Sequence, residues 1–141
     1  MGYQQSSVQA YRQTSVKTAT QGRVIVMLYE EAIRQIDLAL DGIAGQDRRL
    51  DRINNAILKA QSIITELMVS LDMENGGEIA QNLFRLYMFF NDRLMEGNVK
   101  KDAAPLKEVK NLMGDLRDAW KQIENTVVAG RSASGGVNIA G

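Results

Sequence analysis

Apolar residues recur along most of this chain at alternating steps of three and four residues, a spacing that aligns them on one helix face. The clearest stretch covers residues 48 to 97, where Gly76 and Gly77 separate two such patterns. The first pattern comprises Leu50, Ile53, Ile57, Ala60, Ile64, Leu67 and Leu71, and the second comprises Ile79, Leu83, Leu86, Phe90 and Leu94. The spacing predicts two long helices that are joined by a tight turn and pack through these positions.

One similar pattern precedes this pair and another follows it, so the sequence predicts four helices in all. The earlier pattern comprises Ile25, Leu28, Tyr29, Ala32, Ile36, Ala39 and Ile43, and the later one comprises Leu106, Val109, Met113, Leu116, Trp120, Ile123 and Val127. Trp120 is the only tryptophan of the chain. We interpret it as a core anchor, since it falls within the later pattern.

Capping residues predict where the helices begin and end. Thr20 is suited to the N-cap of the first helix, Gly45 to its end, and Asp47 to the cap of the second helix. Asp102 is suited to the N-cap of the fourth helix. Pro105 then falls in the first turn, where its missing N–H has no consequence.

The connections between these helices are short, and short connections place successive helices antiparallel to each other. We therefore predict an all-α fold, an antiparallel up-down-up-down four-helix bundle, over residues 20–129. Residues 1–19 are rich in Gln, Ser and Thr and are interpreted as an N-terminal arm. Residues 130–141 contain mostly small residues and are interpreted as a flexible tail.

The third predicted helix carries a second apolar stripe. With about 100° of rotation per residue, Phe84, Met88 and Met95 fall nearly opposite the packing positions, and Ala80 and Tyr87 lie between the two sets. Leu58 and Val69 share a similar off-centre position on the second helix. Such a stripe is packed inside the bundle, is covered by the chain's own N-terminus or forms a surface for a partner, and the residues alone favour the first two alternatives.

The arm offers two candidate contacts for the same surface. Val8 and Tyr11 are three residues apart, so one helical turn presents both side chains on one side. They would either fray with the terminus or dock over part of the second stripe. We include Val8 and Tyr11 among the candidate partner-binding residues on the second alternative.

Composition excludes several classes of protein. Lys plus Arg and Asp plus Glu number 17 each, so the formal net charge of zero argues against a nucleic-acid or membrane-surface protein. The chain has neither His nor Cys, which removes the commonest metal ligands and general bases, and it contains no phosphate-binding glycine loop. We therefore expect no enzyme activity and no cofactor. The polar N-terminal segment lacks the apolar core of a signal peptide, which favours the cytoplasm.

Several blocks of sequence resemble the flagellin-export chaperone family, FliS, and together they cover nearly the whole chain. They are VKTAT at 16–20, VIVMLYEEAIRQIDLA at 24–39, INNAILKAQSIITELMVSLD at 53–72, NGGEIAQNLFRLYMFFNDRL at 75–94 and LRDAWKQI at 116–123. No block alone is a catalytic motif. The order and spacing of the blocks along one chain make the resemblance specific.

The resemblance implies a cytoplasmic four-helix bundle that binds the disordered C-terminal segment of flagellin. Such a protein prevents premature flagellin polymerisation and presents flagellin to the flagellar export apparatus. The second stripe supplies the apolar surface that this binding needs, and the arm would occupy part of it until flagellin arrives. The resemblance leaves open whether the free protein is a monomer or a weak homodimer.

A second interpretation needs no flagellin. The exposed stripe could join two copies in a permanent homodimer, so that the protein is a helical scaffold or a regulatory bundle for another helical partner. Light scattering of the protein alone and with a flagellin C-terminal peptide separates the two interpretations.

Overall fold

The fold consists of four α-helices that pack side by side. A computed structural model describes the backbone of residues 21–47 and 49–133 and the side chains as far as residue 125. The helices are α1 (Gln21–Ala44), α2 (Leu50–Val69), α3 (Gly77–Lys100) and α4 (Ala103–Ala133). The predictions for Thr20, Val127, the N-terminal arm and most of the tail concern residues or side chains outside this description.

The helices form a ring in which α1 packs against α2 and α4, and α3 packs against the same two helices. Side-chain pairs give the direction of packing. Asp37 pairs with Lys110 and Glu30 with Lys121, so residue numbers rise along α1 as they fall along α4. The predicted antiparallel four-helix architecture is therefore confirmed.

The core of the ring follows the predicted positions most closely in the middle of each helix. Its members are fully or almost fully shielded from water and include Leu28, Ala32, Ile36, Ile53, Ile57, Ile64, Leu67, Phe90, Leu94, Leu106, Val109 and Met113. Burial of these side chains is the main stabilising contribution, at roughly 1.5–3 kcal/mol for a fully buried large aliphatic side chain. Trp120 is only half-buried and packs against the edge of this core.

Two tyrosines connect the helices that lie diagonally across the ring. The hydroxyl oxygens of Tyr29 in α1 and Tyr87 in α3 are 2.6 Å apart, and the rings meet edge to face at 6.2 Å. The Trp120 indole lies near the Tyr29 hydroxyl. Burial raises the pKa of both hydroxyls, because the charged phenolate is disfavoured away from water.

Two glycines let neighbouring helices approach closely. A side chain at Gly97 of α3 would collide with Leu106 of α4, and one at Gly42 of α1 would lie 2.7 Å from Ile53 of α2. Contacts this short leave no room for even a methyl group. Both positions stand at the end of the bundle where α1 leads into α2 and α3 into α4.

The turn between α2 and α3 depends on Asp72 and on a second pair of glycines. The Asp72 carboxylate accepts hydrogen bonds from the backbone N–H groups of Glu74 and Asn75 and from the Asn75 amide. These bonds hold the pKa of Asp72 below its ordinary value. Gly77 starts α3 at φ +59°, a conformation that favours glycine.

The structure corrects the predicted packing positions in the terminal turns. Leu50, Ile79 and Ile123 are exposed, although the pattern predicts them in the core. Leu50 is the first residue of α2, and Ile79 lies in the first turn of α3. The Arg93–Glu108 ion pair places Ile123 level with that same first turn. Each of these positions lies near an end of the bundle, where a neighbouring helix begins or has already ended, so little surface is available to cover the side chain.

The capping predictions have a mixed outcome. Asp102 caps α4 as predicted, since its carboxylate accepts a hydrogen bond from the Ala104 N–H. Asp47 does not cap α2, because the helix begins at Leu50 and its N-cap position is Arg49. Arg49 makes no side-chain capping bond, so the first turn of α2 lacks this stabilisation.

Removal of either tyrosine hydroxyl is expected to destabilise the bundle. Tyr29→Phe strands the Tyr87 hydroxyl and Tyr87→Phe strands the Tyr29 hydroxyl, so each single variant should cost about 1–3 kcal/mol. The double variant should cost less than the sum of the single variants, because no hydroxyl is then stranded. Urea unfolding of the four proteins measures these free energies, and strict additivity would contradict a direct hydrogen bond.

The tyrosine pair also predicts a loss of stability at alkaline pH. Both folded-state pKa values are raised, whereas an unfolded tyrosine ionises near pH 10. Above about pH 10 the unfolded state therefore loses protons that the folded state retains. Stability should fall by up to about 1.4 kcal/mol per pH unit for each tyrosine. Urea midpoints between pH 8 and pH 11 test this, with the double phenylalanine variant as a control that lacks this component.

Candidate partner-binding face

The candidate site is a face formed by the outer sides of α2 and α3. Gln61 of α2 donates to the Asn91 carbonyl of α3, and Asn98 of α3 donates to Asn54 of α2, so the two helices run antiparallel at a defined register. This register places Leu58 level with Met95 and Val69 level with Phe84. Five of the nine predicted binding residues therefore share this face: Leu58, Val69, Phe84, Met88 and Met95.

Most of these apolar side chains are accessible. Met88 and Met95 are 46% and 56% exposed, Val69 is 73% exposed, and Leu58 and Phe84 are half-buried. The sequence alone favoured a stripe that is packed inside the bundle or covered by the N-terminus. The two methionines are not packed inside the described bundle, and the N-terminal arm lies outside the described residues. Hereafter Leu58, Val69, Phe84, Met88 and Met95 are called the α2–α3 face.

Two predicted binding residues lie inside the bundle instead. Ala80 is 4% exposed and Tyr87 is 1% exposed. The packing positions of α3 follow Leu83, Tyr87, Phe90 and Leu94 at alternating four- and three-residue steps, so Tyr87 belongs to the core stripe. Neither side chain is available to a partner in this conformation. Val8 and Tyr11 lie outside the described residues.

Polar groups line the seam between the two helices of this face. The Asn91 side-chain amide donates to the Thr65 hydroxyl at 3.2 Å, and its backbone carbonyl accepts from Gln61 at 3.1 Å. Sequence reasoning did not select Asn91. Its position between Met88 and Met95, polar on an otherwise apolar stripe, was the available signal.

One charged group of α3, Arg93, is engaged on the other side of the helix, toward α4. Arg93 pairs with Glu108 of α4 at 2.6 Å and with Glu96 of its own helix at 3.0 Å. The bond to Glu108 contributes most to holding the pKa of Arg93 above its ordinary value. These pairs are partly exposed and so contribute little to stability. They leave the α2–α3 face with apolar and neutral polar groups at its centre.

A second concavity differs in chemistry from this face. It has a volume of about 500 Å³ and lies between α1 and α2. Its lining includes the charged residues Asp41, Asp47, Arg49, Arg52 and Lys59 as well as an apolar part. The cleft therefore carries charges of both signs, in contrast to the methionine-rich surface.

Two other kinds of feature are absent from the described residues. Within residues 21–47 and 49–133, no carboxylate cluster could hold a metal ion. No helix in the described part is long and apolar enough to cross a membrane. The all-α bundle and its exposed apolar face together define a helical bundle protein with a candidate partner-binding surface.

Comparison with known proteins identifies the family. The family model described as "Flagellar protein FliS" matches residues 3–127, which is most of the chain. The chain belongs to the FliS family, whose named members are flagellar secretion chaperones and not enzymes.

Individual relatives agree with this assignment. The chain is 37% identical to the flagellar secretion chaperone FliS of Bacillus subtilis, with 94% of this chain and 97% of that protein covered. It is 36% identical to the protein of the same name from Salmonella typhimurium, with coverage of 86% and 92%. The Escherichia coli protein is 33% identical, with coverage of 85% and 90%. The resemblance seen in the sequence blocks is therefore confirmed.

The burial pattern predicts which positions of α3 tolerate a charge. Met88→Asp should change the free energy of unfolding by no more than about 1 kcal/mol, which allows for the lower helix propensity of Asp. Leu94→Asp places a charge in the core of the same helix and should cost at least about 3 kcal/mol or prevent folding. Thermal and urea unfolding compare the two variants. Comparable losses in both would mean that Met88 is not on an open surface.

Proposed function

We propose that this protein binds the C-terminal segment of flagellin in the cytoplasm, prevents premature polymerisation and helps to present flagellin to the flagellar export apparatus. Membership of the FliS family supports a role as a flagellar secretion chaperone. The observation that carries the finer proposal is the exposed α2–α3 face, which gives an apolar client segment a surface to cover.

The chemistry of this face suits a client that is disordered until it binds. Methionine side chains are unbranched and adapt their shape to a partner, so Met88 and Met95 can follow a segment that folds on contact. Leu58 and Val69 extend the apolar surface onto the second helix. An amphipathic client helix laid along the two helices would remove these side chains from water.

Binding of this kind blocks polymerisation by competition. A flagellin segment that covers the α2–α3 face cannot at the same time pack against another flagellin subunit, so complex formation lowers the free concentration of assembly-competent chain. The client must also be released at export. The ordering of a disordered segment costs part of the interaction energy, which keeps such complexes reversible.

Two of the predicted binding residues, Ala80 and Tyr87, are buried and are not among the proposed contacts. Ala80 and Tyr87 would contribute only by supporting the shape of α3, since the bundle itself covers them. Val8 and Tyr11 remain proposed as residues of an arm that occupies part of the face in the free protein. That part of the proposal rests on the family resemblance.

The central test is Met88→Asp in a titration with a flagellin C-terminal peptide. A charge at the middle of a desolvated contact should weaken binding by at least about 2 kcal/mol, or roughly 30-fold. Leu38→Asp is the matched control, because Leu38 is 48% exposed on α1, away from the face. This control should bind like the parent protein in isothermal titration calorimetry.

Two results would contradict the proposal. Equal affinity of Met88→Asp and the parent would remove the α2–α3 face from flagellin binding. Light scattering that shows a stable dimer, unchanged by added peptide, would instead support a homodimeric scaffold. A parent protein that takes up one peptide, together with a weakened Met88→Asp variant, supports the chaperone function.

A further inference from the structure

Two asparagines stand seven residues apart on α3 and point toward α2, but only one of them is fully paired. The Asn98 amide nitrogen donates to Asn54 Oδ1 at 2.8 Å, and Asn98 Oδ1 accepts from Lys101 Nζ at 2.6 Å. The Asn91 amide nitrogen donates to Thr65 Oγ1 at 3.2 Å. Asn91 Oδ1, however, is buried and finds no donor in the part of the chain that the structure describes.

An unpaired buried acceptor works against folding. The oxygen loses its hydrogen bonds to water when the chain folds, and no donor among the described residues replaces them. Such groups are rare in native proteins, so each calls for a physical explanation. An apolar side chain of similar size at position 91 would avoid the loss and continue the apolar stripe between Met88 and Met95.

The location of this acceptor suggests where its hydrogen-bond donor comes from. Met88 precedes Asn91 by one turn and Met95 follows it by one turn, so residue 91 lies at the centre of the α2–α3 face, with its side-chain oxygen shielded from water. Flexible methionine side chains on both sides can move aside and let a partner atom reach it. The partner must bring a donor, since an amide oxygen is only an acceptor.

We propose that Asn91 Oδ1 accepts a hydrogen bond from a neutral side-chain donor of the bound flagellin segment, an Asn, Gln, Ser or Thr. The inference rests on the proposed function and assigns Asn91 as a specificity-determining residue of that site. A neutral donor fits better than a cation, because apolar neighbours penalise the burial of a charge.

A buried acceptor lets the α2–α3 face discriminate between client segments more strongly than apolar contact alone would. The oxygen is already removed from water in the free protein, so its desolvation adds nothing to the cost of binding. A client with a donor at the matching position gains the whole hydrogen bond. A client of similar hydrophobicity that lacks the donor gains only apolar contact, which discriminates weakly between segments.

The test compares Asn91→Leu with Asn98→Leu in full-length protein. Asn91→Leu should bind the flagellin C-terminal peptide about tenfold more weakly, while its melting temperature stays level or rises, because an unpaired acceptor is removed. Asn98→Leu should show the reverse pattern, since it breaks paired hydrogen bonds away from the centre of the face. Its melting temperature should fall and its peptide affinity should stay unchanged. Calorimetric titration and thermal unfolding supply the two readouts.

A peptide series then identifies the donor. Each Asn, Gln, Ser and Thr of the peptide is replaced in turn by an apolar residue of similar size. One replacement should weaken binding to the parent about tenfold and leave binding to Asn91→Leu unchanged, which shows direct coupling. No coupling at any position would overturn the proposal, as would a lowered melting temperature of Asn91→Leu with parent-like affinity.

Met88→Asp separates failure of this inference from failure of the proposed function. If Met88→Asp binds weakly and Asn91→Leu binds like the parent, the face is correct and the role of Asn91 is wrong. If neither variant weakens binding, the face itself is wrong. A parent protein that does not bind the peptide would overturn the proposed function and the inference together.

Discussion

The hydrogen bond between Tyr29 and Tyr87 requires that Tyr87 face the core of the ring, as Phe90 and Leu94 of the same helix do. It joins two helices that lie diagonally across the ring, and it pairs both hydroxyls in a place without water. With Tyr87 facing inward, the next residue, Met88, is turned about 100° away. The exposed methionines are thus a consequence of which side of α3 is buried.

The inward orientation of Tyr87 leaves α3 with two apolar sides in different surroundings. Its inner side supplies Phe90 and Leu94 to the core, and its outer side supplies the apolar residues of the α2–α3 face. The two stripes are adjacent, so the helix has little polar surface between them on the α2 side. Asn91 and Asn98 mark the boundary there, and they bind across to α2 instead of facing water.

Much of the fold follows from local patterns in the sequence. The spacing of Ile53, Ile57 and Ile64 is enough to predict α2, because burial of a helix stripe requires that period. Gly77 and Asp102 predict the starts of α3 and α4 through backbone freedom and capping, both of which are local effects. The pattern predicts Ile79 in the core because the spacing of apolar residues continues into the first turn of α3. No neighbouring helix of the described chain covers the side chain there, so Ile79 is exposed.

The candidate site was predictable only in part. The helical rotation angle alone groups Phe84, Met88 and Met95 on one side. It cannot show that Tyr87 is buried, because a tyrosine becomes a core residue only when a distant partner satisfies its hydroxyl. Asn91 was missed for a related reason, since its significance depends on the pairing of Thr65 and Gln61 across another helix.

The contact between Trp120 and Tyr29 gives this protein a built-in optical reporter. The chain has a single tryptophan, which lies beside Tyr29 at the edge of the tyrosine pair. Indole emission depends on the polarity around the ring, and nearby tyrosines transfer excitation to it. The fluorescence of the unmodified protein therefore reports on the packing around the tyrosine pair, and any loosening there shifts the wavelength of the emission.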